Sequence, residues 1–149
     1  MRLEKQFDVK TPRSEAIAAL DDDATLVSLF PDSDTEIVER RGARRTTRTR
    51  YRALGREGVA TFHFDVSKDG NVRFEKVCDG RIWRELTGAV TFVERGKGTR
   101  VTIEMEGRTK TLVPEFTIRG PMQEQIDQMA DALRKIVSAA GRARKSTGA

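Results

Sequence analysis

Residues 121–140 read PMQEQIDQMADALRKIVSAA, and Met122, Ile126, Met129, Leu133, Ile136 and Ala140 recur there at spacings of four and three. That recurrence follows the turn of an α-helix and gathers the apolar side chains into one stripe. A long helix with one apolar stripe needs an apolar surface to lie on, and the chain upstream supplies it. Between Thr35 and Thr111 six segments read as strands, roughly 35–41, 44–54, 58–67, 71–79, 82–94 and 99–111, with no helical period between them. Gly42, GREG at 55–58, KDGN at 68–71, DG at 79–80 and GKG at 96–98 punctuate them as hairpin turns. Links this short make the strands antiparallel neighbours, because a parallel crossover takes about a dozen residues or more.

The amino-terminal part adds one more strand. From Arg2 to Lys10, Leu3, Phe7 and Val9 alternate with polar residues, Lys5 being the exception on the apolar face. In TPRSEAIAALDDD, at 11–23, Thr11 is expected to cap a short helix with Pro12 at its first position, and Ile17 and Leu20 form its apolar edge. A second short helix is expected after Asp23, with Leu26, Leu29 and Phe30 inward and Pro31 ending it. VPEFTIRG, at 113–120, is either an extra helical turn bent at Gly120 and Pro121 or a linker. The expected architecture is therefore α+β, a seven-stranded antiparallel sheet curved around a long carboxy-terminal helix, with two short helices after the first strand. Residues 1–141 form this one domain, and 142–149 are expected to be a polar tail.

With 37% hydrophobic and 34% charged residues the chain is polar, yet it keeps enough apolar side chains to build a core. A net charge of +5 is compatible with anionic partners and identifies none of them. The single cysteine, Cys78, rules out an intramolecular disulfide and a multi-cysteine zinc site. MRLEKQFDVK at the start has no apolar h-region, and no stretch approaches the length of a spanning helix. The expectation is a soluble protein of the reducing cytoplasm.

Three stretches carry a family likeness. FDVKTPRSEAIAALDD at 7–22 resembles the strand, proline and first helix of the START-like or SRPBCC superfamily, which includes polyketide cyclase/dehydrase and lipid-transport types. LFPD at 29–32 is similar to the segment before that family's meander, and GAVTFVERGKGTRVTIEME at 88–106 resembles its penultimate hairpin. Ile17 stands where many relatives carry an aromatic residue. The resemblance implies a helix-grip fold enclosing an apolar ligand between sheet and helix. Family chemistry ranges from carriage to cyclisation, so it implies no single activity.

ARRTTRTRYRAL, at 43–54, is the most basic stretch. In a strand, Arg48, Arg50 and Arg52 share one face, and Thr47, Thr49, Tyr51 and Ala53 share the other. The main reading is a solvated charge stripe with partial cross-strand pairing, Glu36 or Glu39 being the acids within reach; contact with an acidic protein or membrane surface is the alternative. Nucleic acid is disfavoured, because the stretch lacks a stacking platform, helix-turn-helix punctuation and zinc spacing. His63 falls opposite Phe62 and Phe64, at the surface near Asp65, and a His–Asp base is the competing reading. Cys78 reads as a small buried hydrophobe. The glycine-bearing loops read as turns rather than calcium or phosphate loops, so metal and nucleotide cofactors are not indicated.

These phases define the candidate ligand-binding residues. Tyr51, Phe62, Phe64, Phe74 and Phe92 on the strands, with Ile126, Met129 and Leu133 on the helix, are expected to border an internal cavity. Lys76, in phase with Val72 and Phe74, and Arg84, in phase with Ile82 and Leu86, are expected either to anchor an anionic ligand group or to reach water along apolar stems. The expected function is binding or transfer of a small apolar or amphipathic molecule without catalysis. A cyclase- or hydratase-like enzyme and a protein-interaction module are the alternatives.

Overall fold

A computed structural model describes residues 1–29, 33–53, 56–78 and 82–147, without the side chains of Arg52, Ala53, Arg56 and residues 142–147. The expected roles of Phe30 and Pro31, Leu54 at the end of the expected strand 44–54, Gly55 of the GREG turn and the Asp79–Gly80 turn lie outside these residues. Strands β1 (Arg2–Val9), β2 (Asp34–Arg41), β3 (Arg44–Ala53), β4 (Arg56–Val66), β5 (Val72–Val77), β6 (Trp83–Arg95) and β7 (Gly98–Thr109) surround three helices in sequence, α1 (Arg13–Leu20), α2 (Asp23–Ser28) and α3 (Glu115–Thr147). The strands form one antiparallel sheet in the order β1-β7-β6-β5-β4-β3-β2. The helix-grip architecture expected from the sequence is thus present. Gly42 and Gly96, each at φ 60°, and Gly70, at φ 90°, occupy the left-handed positions that the tight turns require.

One face of the sheet is apolar, carrying Leu3, Phe7, Phe62, Phe64, Phe74, Val90 and Val101. Helix α3 packs closest to β1, α1 and β7, and more lightly on α2. Its buried stripe is Met122, Ile126, Met129, Ala130, Leu133 and Val137. Val137, rather than the expected Ile136, is completely buried, because a 3.6-residue period drifts away from alternating steps of four and three over several turns. Burial of Ile126, Met129 and Leu133 contributes roughly 1.5–3 kcal/mol each.

A second row of contacts ties α3 to β1. Lys5, the polar exception on the apolar face, reaches Asp127 at 3.1 Å. The Arg134 guanidinium lies 5.4 Å from the centre of the Phe7 ring. Just beyond β1, Thr11 does not cap α1, whose amino-terminal cap is Pro12 with no side-chain hydrogen bond. Its hydroxyl instead donates to the Val137 carbonyl at 2.8 Å, and its own carbonyl accepts from Thr99 Oγ1 at 2.8 Å. Both bonds are buried. Gly141 packs against the same threonine, where an added Cβ would lie 2.4 Å from Thr11 Oγ1.

Helix α3 is longer at both ends than the apolar stripe. Of the two readings of VPEFTIRG the linker is excluded and the extra helical turn is present, since the helix begins at Glu115 and continues through Pro121. Gly120 makes that passage easier, because the residue before a proline clashes with the ring through its Cβ in helical geometry, and glycine has none. At the other end the backbone remains helical to Thr147, so the chain does not leave the helix at Gly141. No helix among the described residues is long and apolar enough to cross a membrane.

The two short helices close one end of the sheet. Arg13 of α1 donates to the carbonyls of Phe92 at 3.0 Å and Asp69 at 2.6 Å, and Ile17 lies over Gly70. Asp22 caps α2 by accepting from the Ala24 amide. Arg45 bonds to Asp21 at 3.1 Å and to Asp23 at 3.0 Å, and Arg40 also pairs with Asp23. A tight Asx turn supports the Asp69 loop: Asp69 accepts from the Ser67 hydroxyl and the Asn71 amide, and these bonds hold its carboxyl below the ordinary carboxylate range.

Opposite signs are expected for two substitutions in α3. Pro121→Ala restores an amide donor inside the helix and should stabilise by about 1–3 kcal/mol. Gly141→Ala, which in an open helix would be favourable, should destabilise by about 1–3 kcal/mol by displacing the Thr11 hydroxyl from Val137. Urea denaturation midpoints of the two variants check both signs. An acid-dependent effect is expected at Asp69, whose depressed pKa contributes stability above its unfolded value and loses it as pH falls through the folded one. Wild type should therefore melt above Asp69→Asn at neutral pH, and thermal scans toward strong acid should show the difference closing.

Candidate functional site

Strand phase sets which side chains meet under the sheet. Thr47 opposes Phe62, Phe64 opposes Phe74, and Phe74 opposes Gly88, so these residues point to one face. Phe62, Phe64 and Phe74 form a ring cluster with centroids 5.7–6.5 Å apart. Gly88 is required beneath it, because a Cβ there would lie 2.2 Å from the Phe74 ring. Phe92, Ile126, Met129 and Leu133 are buried in the same core. Tyr51 is half-buried, with its phenol laid over Gly58 across the hairpin. Eight of the ten candidate residues thus lie on the faces expected of them and contribute to one interior.

Lys76 follows the expected phase as well. It opposes Phe62, is half-buried, and lies where β5 leaves β6: among the described residues that ladder ends at Glu75 opposite Thr87, while β6 continues with β7. Its ammonium is carried at the edge of the apolar face on an apolar stem. Arg84 requires a correction. A register shift between Trp83 and Glu85 changes the phase of β6, so Trp83 is buried and Arg84 points to solvent, donating to Thr111 Oγ1 at 3.3 Å. Arg84 does not share the inner face with Leu86.

Sequence reasoning missed Trp83 and Met105 as inner-face residues. Trp83 packs its ring over Gly107 of β7, where an added Cβ would meet it at 2.5 Å. Met105, 4% exposed, lies across from Gly88 and beside Leu3 in the β-ladder. Both border the part of the interior where β5 and β6 separate.

The outer face of the sheet is polar and holds the other candidates. His63 shares a 2.8 Å hydrogen bond with Thr46 through Nδ1, while Asp65 accepts two bonds from Arg44 at 2.9 and 3.0 Å. The neighbouring carboxylate is therefore committed to arginine rather than to orienting the imidazole. Arg48 is 4.0 Å from Glu36, and with Arg44 and Arg45 already paired, acids answer much of the basic strand. A concavity of about 640 Å³ on this outer face is lined by both signs of charge, including Arg2, Arg44, Asp65, Glu75 and Glu104. Cys78 is half-buried, its thiol 3.6 Å from the Lys76 carbonyl.

No family model and no curated protein matches the sequence. Solved structures match its fold over nearly the whole length. The chain is similar to the Zhui aromatase/cyclase from Streptomyces sp. R1128, with a TM-score of 0.77 at 14% identity, covering 99% of this chain and 97% of that one. It is similar to a START superfamily protein from Mycobacterium smegmatis, with a TM-score of 0.73 at 15% identity over 93% and 97% of the two chains. A STAR-related lipid transfer protein from Xanthomonas axonopodis gives 0.66 at 16% identity over 91% and 85%. At such low identity the shared property is the backbone arrangement, and in that arrangement this chain has the START-like helix-grip fold.

Proposed function

We propose that the protein binds or carries a small amphipathic molecule with an apolar body and an anionic end, held between the sheet and α3. The observation that carries this reading is the placement of Lys76, a half-buried cation beside Phe62 at the point where β5 and β6 part. Apolar area from Phe62, Phe74, Trp83 and Met105 suits the body of such a molecule. The Lys76 ammonium and the Tyr51 hydroxyl are the polar groups available to its end. The fold likeness to a lipid transfer protein and to an aromatase/cyclase supports an interior ligand and leaves its chemistry open.

Carriage is the reading proposed here, in which the molecule leaves unchanged. Native mass spectrometry of the purified protein with a series of medium-chain fatty acids tests it, expecting one molecule retained per chain. Repeated analysis of the loaded complex over time distinguishes the alternatives, since appearance of a product mass would replace carriage by catalysis. Loss of Lys76 should affect only the anionic end. In Lys76→Met the dissociation constant for a fatty acid should rise roughly 10-fold or more, the scale of a lost charge-assisted hydrogen bond, while the corresponding alcohol should bind nearly as before. Competition against a fluorescent fatty acid measures both. Equal affinities for wild type and variant would remove Lys76 from the site.

A further inference from the structure

We infer that the turn between β7 and α3 is a docking wedge for an anionic membrane surface. Leu112 is 94% exposed and Phe116 is 80% exposed, the two largest exposures among the described large hydrophobic residues. They flank Val113, Pro114 and Glu115, and among the described residues neither belongs to the core or to the hydrophobic residues packed against it. A loose loop would let such side chains fold back, but this turn is fastened. The Lys110 amide donates to the Ile82 carbonyl and the Val113 amide to the Lys110 carbonyl, both at 2.9 Å. Thr109 Oγ1 donates to the Val113 carbonyl at 2.7 Å, and Thr117 Oγ1 to the Pro114 carbonyl at 2.6 Å. Leu112, in the turn, and Phe116, in the first turn of α3, are thus presented to solvent by a built junction.

The charges around the wedge select the partner. Arg84, Lys110 and Arg119 are exposed, and among the described residues none of them is ion-paired with a carboxylate. Arg84 is joined to the wedge through its bond to Thr111. The nearby acids are engaged: Glu85 pairs with Arg108 at 3.5 Å, and Glu115 with the terminal ammonium at 3.4 Å. Protruding leucine and phenylalanine ringed by uncommitted cations match a bilayer surface, where apolar groups enter the acyl boundary and cations meet lipid phosphates. An acidic protein surface would answer the cations but would need an apolar pocket of matching shape to cover both side chains, whereas the acyl boundary of a bilayer needs none.

Position gives the wedge a use. Trp83 opposes Thr109 in the ladder, so the turn stands at the end of the sheet where β5 and β6 separate beside Lys76. The opposite end is closed by α1 over Gly70. A membrane held at the wedge therefore faces the end of the interior that α1 does not close, and an amphiphile would pass between bilayer and protein there. This use rests on the proposed carrier reading; the docking itself does not.

Flotation with large vesicles tests docking without any soluble ligand. Wild type should float with vesicles of phosphatidylcholine and phosphatidylglycerol in a 1:1 ratio, and at least 10-fold less with phosphatidylcholine alone. Leu112→Ser/Phe116→Ser should lose at least 10-fold in binding to the mixed vesicles while keeping its melting temperature. Lys110→Glu/Arg119→Glu should lose the preference for anionic lipid. Wild type that fails to float with either vesicle, or apolar variants that float as well as wild type, would overturn the proposal. So would sedimentation showing a wild-type dimer that the serine variants dissolve, since the patch would then belong to a second copy. Fatty-acid competition run on the same samples keeps the two readings apart: vesicle binding without soluble ligand binding refutes the carrier and retains docking, and the reverse refutes docking and retains the carrier.

Discussion

The alignment of α3 along β1 is the constraint on which the remaining structure depends. Asp127, Arg134 and Gly141 lie on one edge of the helix and meet Lys5, Phe7 and Thr11 in the same order. The spans are comparable: residues 127 to 141 rise about 21 Å as a helix, and residues 5 to 11, the end of β1 and the two residues after it, reach at most about 20 Å. An ion pair, a cation over an aromatic ring and a buried hydroxyl thereby fix the helix in both direction and rotation. Shifting it by one residue would turn Gly141 away from Thr11 and bring a side chain into a gap that admits none. With rotation fixed, Ile126, Met129, Leu133 and Val137 can face only inward.

Fixing the helix over one side of the sheet has a consequence for the other side. Strands β1 and β7, with α1, receive the close approach of α3, whereas the phenylalanines of β4 and β5 lie toward the far strands of the sheet order. Those rings pack against one another, and Phe74 lies over the glycine at position 88. Aromatic clustering over a glycine gives the curved sheet a shaped apolar wall without needing the helix backbone nearby. The closed end is held differently, by charge. Arg45, Arg13 and Arg40 fasten α1, α2 and the loops to the sheet through carboxylates and carbonyls. The basic strand is thus partly a fastening for the two short helices, with Arg45 only 14% exposed at its side chain.

Most of the architecture was legible because short links and alternation leave little freedom. Gly42, Gly70 and Gly96 adopt the positive φ that their hairpin turns demand, and the strand boundaries follow from them. The inner phase of β3 to β5 was equally legible, since a pleat with Phe62, Phe64, Val72 and Phe74 on one side can be buried in only one way. Arg84 was misplaced because IWREL, at 82–86, carries apolar residues in both phases and the shift at Trp83 is a backbone irregularity with no composition of its own. The ends of α3 were misplaced for another reason. Proline and glycine inside 113–121 look like a break, but the breaking tendency of Pro121 was met by a glycine before it. Thr11 had two legitimate partners, a nearby amide and a distant carbonyl, and only tertiary packing chose the second.

The misread segment and the candidate site coincide, and the coincidence has a physical basis. A regular β6–β7 ladder would have carried Arg84 inward with Leu86. The shift turns Trp83 in and releases Arg84 to the rim, in the stretch from Trp83 to Leu86 where β6 is paired with β7 and, among the described residues, not with β5. Buried apolar walls recognise area with little discrimination, whereas one half-buried ammonium distinguishes an anionic end from a neutral one of the same shape. On the proposed reading, selectivity therefore resides in the head group at Lys76 and Tyr51, and tolerance resides in the tail. A carrier built this way would sort ligands by charge before length, because the rings of the phenylalanine wall carry no polar group that a longer or shorter chain would leave unsatisfied.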